Sequence, residues 1–172
     1  MAQRLRASDA VQSSAPIVLD AIDRTIVALL QEDARLSVRA IARALDKSPG
    51  AIGERIARLE TSRVITKYVA DVDFARLGYM HTMVVVRAAA DRDLDGCVEE
   101  ISKLDEVRMV WVVTGAWDLV VEAYVRDAVH LRELLQGRLR RMEGVVHTEA
   151  MIVLESTSTA PTVATGPVTA LD

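Results

Sequence analysis

A serine and a proline followed by apolar residues at intervals of three and four constrain this chain more than any other stretch in it. The segment is KSPGAIGERIARLE, residues 47–60. Ser48 can cap a helix, and Pro49 suits the first helical position, where a missing N–H costs nothing. Ile52, Ile56 and Leu59 then recur at helical spacing, which predicts one buried face. At about 100° per residue, Gly50, Glu54 and Ala57 lie opposite that stripe, while Ala51, Arg55 and Arg58 flank it. Small residues beside cations suit a helix that must come close to something anionic.

Two shorter helices are predicted upstream. Asp20 can cap the first, whose stripe is Ile22, Ile26, Leu29 and Leu30, and Ser37 can cap the second, with Val38, Ile41, Ala42 and Leu45 on one side. Asp46 and Lys47 make a tight turn into the third helix, so residues 19–66 read as a helix-turn-helix. The alternative is a plain three-helix bundle, and charge favours the first reading. The net charge is −4, yet residues 35–67 hold eight Lys/Arg against three Asp/Glu. A local basic patch on an acidic body still attracts phosphate, because charges act over a Debye length of about 8 Å at physiological salt. Arg43, Lys47, Arg55 and Arg58 are the expected phosphate contacts, Ser48 the cap, and Gly50, Ala51 and Glu54 the residues facing base edges. Glu54 could accept from a cytosine amino group, or it could simply pair with Arg58 one turn on. Residues 64–70 alternate well enough for a strand, a wing or the lead into a linker, and the strand and linker together span 67–79.

From residue 80 the pattern changes. A valine-rich run at 83–86 precedes Asp91, Asp93 and Asp95 and then Leu94, Cys97, Val98, Ile101 and Leu104 at helical spacing. Two β-rich runs, 107–113 and 119–125, flank the turn TGAWD. Asp127 can cap a last helix carrying Leu131, Leu134, Leu135 and Met142, Gly144 can end it, and a final strand covers about 145–154. The fold class is therefore α+β: a winged or wingless helix-turn-helix followed, over residues 80–155, by a ferredoxin-like β-α-β-β-α-β domain. Residues 1–18 and 156–172 are polar and aperiodic and read as disordered tails.

The single Cys97 rules out an internal disulfide and falls on an apolar helix face, as expected of a buried thiol in a reducing cytoplasm. The first residues lack the apolar run of a signal peptide, and nothing approaches the ~20 apolar residues that span a bilayer, so no membrane partner is expected. No glycine-rich phosphate loop, nucleophile elbow or Cys/His metal spacing is present, and His81, His130 and His147 are scattered. No catalytic residue, metal or cofactor is expected. The most site-like feature is Thr114-Gly115-Ala116-Trp117-Asp118, read either as a bare hairpin turn or as a loop able to hold a small zwitterion.

These residues together resemble the Lrp/AsnC family of leucine-responsive and asparagine-operon type regulators, over about residues 19–155. The likeness is carried by LDAIDRTIVALLQEDARLSVRAIARAL, by KSPGAIGERIARLETSRVI, by VTGAWDLVV and by GVVHTEAMIVL. The resemblance implies a cytoplasmic transcription factor that binds double-stranded DNA through its N-terminal domain. It also implies homodimers formed through the C-terminal sheet, often assembled into octamers, and an amino-acid effector. Carried over by position, the effector residues are Thr114, Gly115, Trp117 and Asp118 with Thr148 and Glu149. Two departures matter. Ala150 and Met151 follow the Thr-Glu pair where small polar residues are usual, and Trp117 replaces the usual Tyr, which favours an apolar or aromatic amino acid or none. Gly53 and Glu54 stand where the family is often basic. A tetrapyrrole decarboxylase on the same two-domain scaffold is the rival reading, in which His81 or His147 would supply the acid or base.

Overall fold

The computed structural model describes residues 16–90 and 93–157, which divide between Asp71 and Val72 into two compact units. Most of both predicted tails, and Asp91, lie outside the described residues. In the first unit, α1 spans Ala21–Glu32, α2 Val38–Ala44 and α3 Pro49–Thr61. Each is capped as its sequence predicts: Asp20, Ser37 and Ser48 accept from the backbone N–H three residues on. The apolar stripes meet in a core of Ile26, Val27, Ile41, Ala42, Ile52 and Leu59, with Ile56 packed against it.

Residues 64–70 do not form the predicted strand. Val64 and Ile65 turn in to pack on the helical core, and residues 66–70 lack a ladder partner among the described residues. A strand without a partner has no hydrogen bonds to define it.

The second unit is a four-stranded antiparallel sheet with strands β1 Met80–Ala88, β2 Val107–Val112, β3 Leu119–Val125 and β4 Val145–Ile152, in the order β2-β3-β1-β4. Helix α4, Leu94–Ser102, connects β1 to β2, and α5, Ala128–Arg132, begins the connection from β3 to β4. This is the ferredoxin-like arrangement. Leu119, Val121, Ala123 and Val125 alternate onto the helix-covered face, where they join Val84, Val86, Cys97, Ile101, Leu134 and Leu139 in a second core. The opposite face carries Trp111, Val120, Val85 and Glu149 in one cross-strand row and Met109, Glu122, Met83 and Met151 in the next.

The last helix is not continuous. After α5 the backbone widens into a π-type turn at Glu133–Arg138 and tightens into a 3-10 turn at Leu139–Arg141. Leu134 and Leu139 are both fully buried, and a five-residue spacing is out of phase with an α-helix but matched by one widened turn. Leu59→Ala, which empties a fully buried site, should destabilise the first unit by about 2–5 kcal/mol, measured by urea denaturation followed by helical circular dichroism.

Candidate functional site

Asp46, held at φ 52°, makes the turn between α2 and α3, and the Lys47 N–H closes it on the Ala42 carbonyl at 2.9 Å. The Ser48 hydroxyl is occupied as the cap, accepting from the Ala51 N–H at 3.2 Å. Along the outer side of α3, Gly50, Ala51 and Glu54 are exposed, as are Arg43 at the end of α2 and Lys47 in the turn. Arg43, Lys47 and Glu54 have no ion-pair partner among the described residues, so Glu54 does not pair with Arg58.

The two arginines of α3 both pair with acids at the start of α1. Arg55 Nη1 lies 2.6 Å from Asp20 Oδ2 and 2.8 Å from Asp23 Oδ1. Arg58 Nη2 donates to both oxygens of Asp23, at 3.0 and 2.8 Å. Asp23 is only 4% exposed, whereas the Arg58 side chain remains 61% exposed. A carboxylate this enclosed needs cationic donors, and α3 supplies them. The Asp23 N–H and then the Arg55 guanidinium hold the Asp20 carboxyl below its usual range, and Asp20 followed by Asp23 raises Arg55. Each arginine spends one nitrogen on these acids, Arg55 its Nη1 and Arg58 its Nη2, and Arg55 is the less exposed of the two, at 26% against 61%.

In the second unit, Thr114, Gly115, Trp117 and Asp118 form the turn between β2 and β3. Gly115 has φ 119°, a conformation that needs glycine. Asp118 Oδ2 accepts from the Ala88 N–H at 2.8 Å, at the register shift in β1 between Arg87 and Ala88. Arg87 donates to the Ala116 carbonyl through Nε and Nη2, at 3.2 and 2.9 Å, and its guanidinium lies 5.0 Å from the Trp117 ring centre. Trp117 also stacks on His147 at 5.6 Å. Thr148 and Glu149 are not brought together on one side. Thr148 is buried on the helix-covered face with Arg140 Nε on its hydroxyl at 3.0 Å, and Glu149 is exposed on the other face. Successive strand residues point to opposite faces.

Residues 19–60 match the model of the AsnC-type helix-turn-helix domain, and residues 81–163 match that of the Lrp/AsnC ligand binding domain. The chain belongs to the Lrp/AsnC family. An uncharacterized HTH-type transcriptional regulator of Pyrococcus abyssi is 33% identical over 83% of this chain and 90% of its own. The HTH-type transcriptional regulator FL11 of the same organism is 31% identical over 81% and 92%. The fold is shared with E. coli AsnC, at a TM-score of 0.78 and 23% identity over 86% of this chain and all of that one. It is shared equally with NMB0573 of Neisseria meningitidis, solved as an L-Met complex, at 0.78 and 21% over 84% and 96%. This Lrp/AsnC protein is accordingly a DNA-binding transcriptional regulator.

Four residues of its two sites escaped the sequence reading. Asp20 was legible as a cap, but nothing local shows that it and Asp23, 32 to 35 residues away, would face Arg55 and Arg58. Arg87 and His147 reach Trp117 only because β1 and β4 are paired. The acid cluster predicts a pH dependence. The folded pKa of Asp20 lies below its unfolded value near 3.8, so its charge stabilises the fold above that value and ceases to as pH falls through the folded pKa. Asp20→Asn keeps a capping oxygen but loses the charge. It should melt below wild type at pH 7, and the difference should close in thermal scans as pH falls below the unfolded value of 3.8.

Proposed function

We propose that this regulator reads operator DNA with Gly50, Ala51 and Glu54 of α3, held at the duplex by Arg43, Lys47 and the outward donors of Arg58. The observation that carries the reading is the exposed, small-residue outer side of α3, flanked by Arg43 and Lys47, which have no ion-pair partner among the described residues. Ser48 serves by starting the helix, and Arg55 by bracing it against α1. Affinity comes from counterion release at phosphates, and discrimination from Glu54 and from the close approach that Gly50 and Ala51 permit.

The protein acts in the cytoplasm as a homodimer formed through the uncovered sheet face, where Trp111 and Met109 are over a third exposed and Met151 about half exposed. Such a patch on a one-sided sheet is an interaction surface. Octamers are the further assembly the family resemblance implies. An apolar or aromatic amino acid is the proposed effector. Thr114, Gly115 and Trp117 offer it a flat apolar wall beside the Arg87 guanidinium, Asp118 shapes the loop, and Glu149 is the one carried-over strand residue left exposed. The L-Met bound to the Neisseria protein supports that class of ligand. The three histidines sit in separate surroundings, against Glu122, Glu106 and Trp117, which favours the regulator over a decarboxylase.

Selection of bound genomic fragments with and without each of the twenty amino acids tests target and effector together. In salt-series gel shifts, Lys47→Ala should weaken specific and random DNA alike and lower the salt slope by about one. Glu54→Ala should instead change base preference, by about 1–3 kcal/mol at one position. Equal losses on both DNAs for both variants would remove Glu54 as a reader. Trp111→Glu should convert the dimer to monomer in light scattering, and an unchanged mass would move the dimer contact elsewhere.

A further inference from the structure

Asp23 is the most enclosed charged side chain of the helical unit, and its two partners sit one turn apart on the helix assigned to DNA. We propose that Asp23 is a positioning residue for DNA binding: its carboxylate fixes the plane of the Arg58 guanidinium so that the remaining N–H donors face outward to a phosphate. The inference rests on the reading of α3 as the DNA-binding helix.

Three features carry it. Arg58 gives one nitrogen, Nη2, to both carboxylate oxygens, while Nε and Nη1 make no hydrogen bond among the described residues. The guanidinium is planar and rigid, so anchoring Nη2 on the carboxylate restricts where the other donors can lie. Asp23 is itself held from behind, because Arg55 Nη1 binds its Oδ1 while also reaching the α1 cap Asp20 at 2.6 Å. Asp23 is thus anchored to the start of α1, and Arg58, 61% exposed against 26% for Arg55, is the more exposed of the two cations in the cluster.

The proposal has a sign that plain electrostatics does not share. An acid near a DNA-binding face repels phosphate, so replacing it with a neutral isostere should tighten binding. If Asp23 orients Arg58, the same replacement frees a side chain rich in rotamers, and ordering it again on DNA costs affinity.

The test uses the full chain and duplex DNA, both a selected site and a random sequence, in gel shifts over a salt series. Asp23→Asn should weaken binding to both by about tenfold per folded protein, with a salt slope shallower by about one. The folded fraction is fixed by circular dichroism on the same samples. Arg58→Lys keeps the charge but loses the planar geometry, and it should show the same loss. Adding Asp23→Asn to Arg58→Lys should then cost little more, because the two act through one contact. Tighter binding by Asp23→Asn, or a lower melting temperature with affinity and slope unchanged, would overturn the proposal. Should Asp23→Asn not fold, Arg58→Lys alone decides, and wild-type affinity in it is a refutation. Failure of the wild type to bind either DNA would instead remove the underlying reading of α3.

Discussion

Asp23 receives hydrogen bonds from two arginines of α3 while sitting almost wholly inside the helical unit, so the recognition helix is tied to α1 by charge as well as by its apolar stripe. Removing one partner of such a pair leaves the other charge enclosed and uncompensated, and that penalty exceeds what the pair itself contributes. Ile52 and Leu59 pack α3 into the apolar core, and the ion cluster adds a polar tie between α3 and the start of α1. It also redistributes charge. The excess of cations over residues 35–67 is real, but Asp20 and Asp23 lie outside that window and offset Arg55 and Arg58 from across the fold. What remains on the outer side is a small set of exposed cations, Arg43 and Lys47, around Gly50, Ala51 and Glu54.

The second unit is organised by an asymmetry between its two sheet faces. Helices cover one face, where Val84, Val86, Leu119 and Val121 are completely buried. The other face mixes Trp111, Met109 and Met151 with Glu122 and Glu149, and among the described residues Phe74 stacks on its Tyr124. The turn from residue 114 to 118 is built by the same sheet. Asp118 satisfies the Ala88 N–H at an irregularity in β1, and Arg87, one residue before it, reaches the turn carbonyl of Ala116 and the face of Trp117. The Asp118 carboxylate therefore ties the turn to β1, with Arg87 and Trp117 beside it. At the far end of the sheet, burial alone would push the Glu106 carboxyl up. The His130 hydrogen bond, its own backbone N–H and Arg138 outweigh that and keep it below its usual range.

By itself the sequence determined the local structure: the caps Asp20, Ser37, Ser48 and Asp127, the apolar periods of α1 to α4, the strand runs and the order that makes the second unit ferredoxin-like. These depend on residues three or four apart, and physical chemistry at that range is readable from a string. The tertiary structure alone decided which partners distant groups would take. It turned Arg55 and Arg58 toward acids more than 30 residues earlier, sent Thr148 to the helix-covered face, widened the last helix so that Leu134 and Leu139 could both be buried, and left residues 66–70 without a strand partner among the described residues. Each outcome is a competition among groups for enclosed hydrogen bonds or apolar space, and the competitors are brought together only when the chain folds.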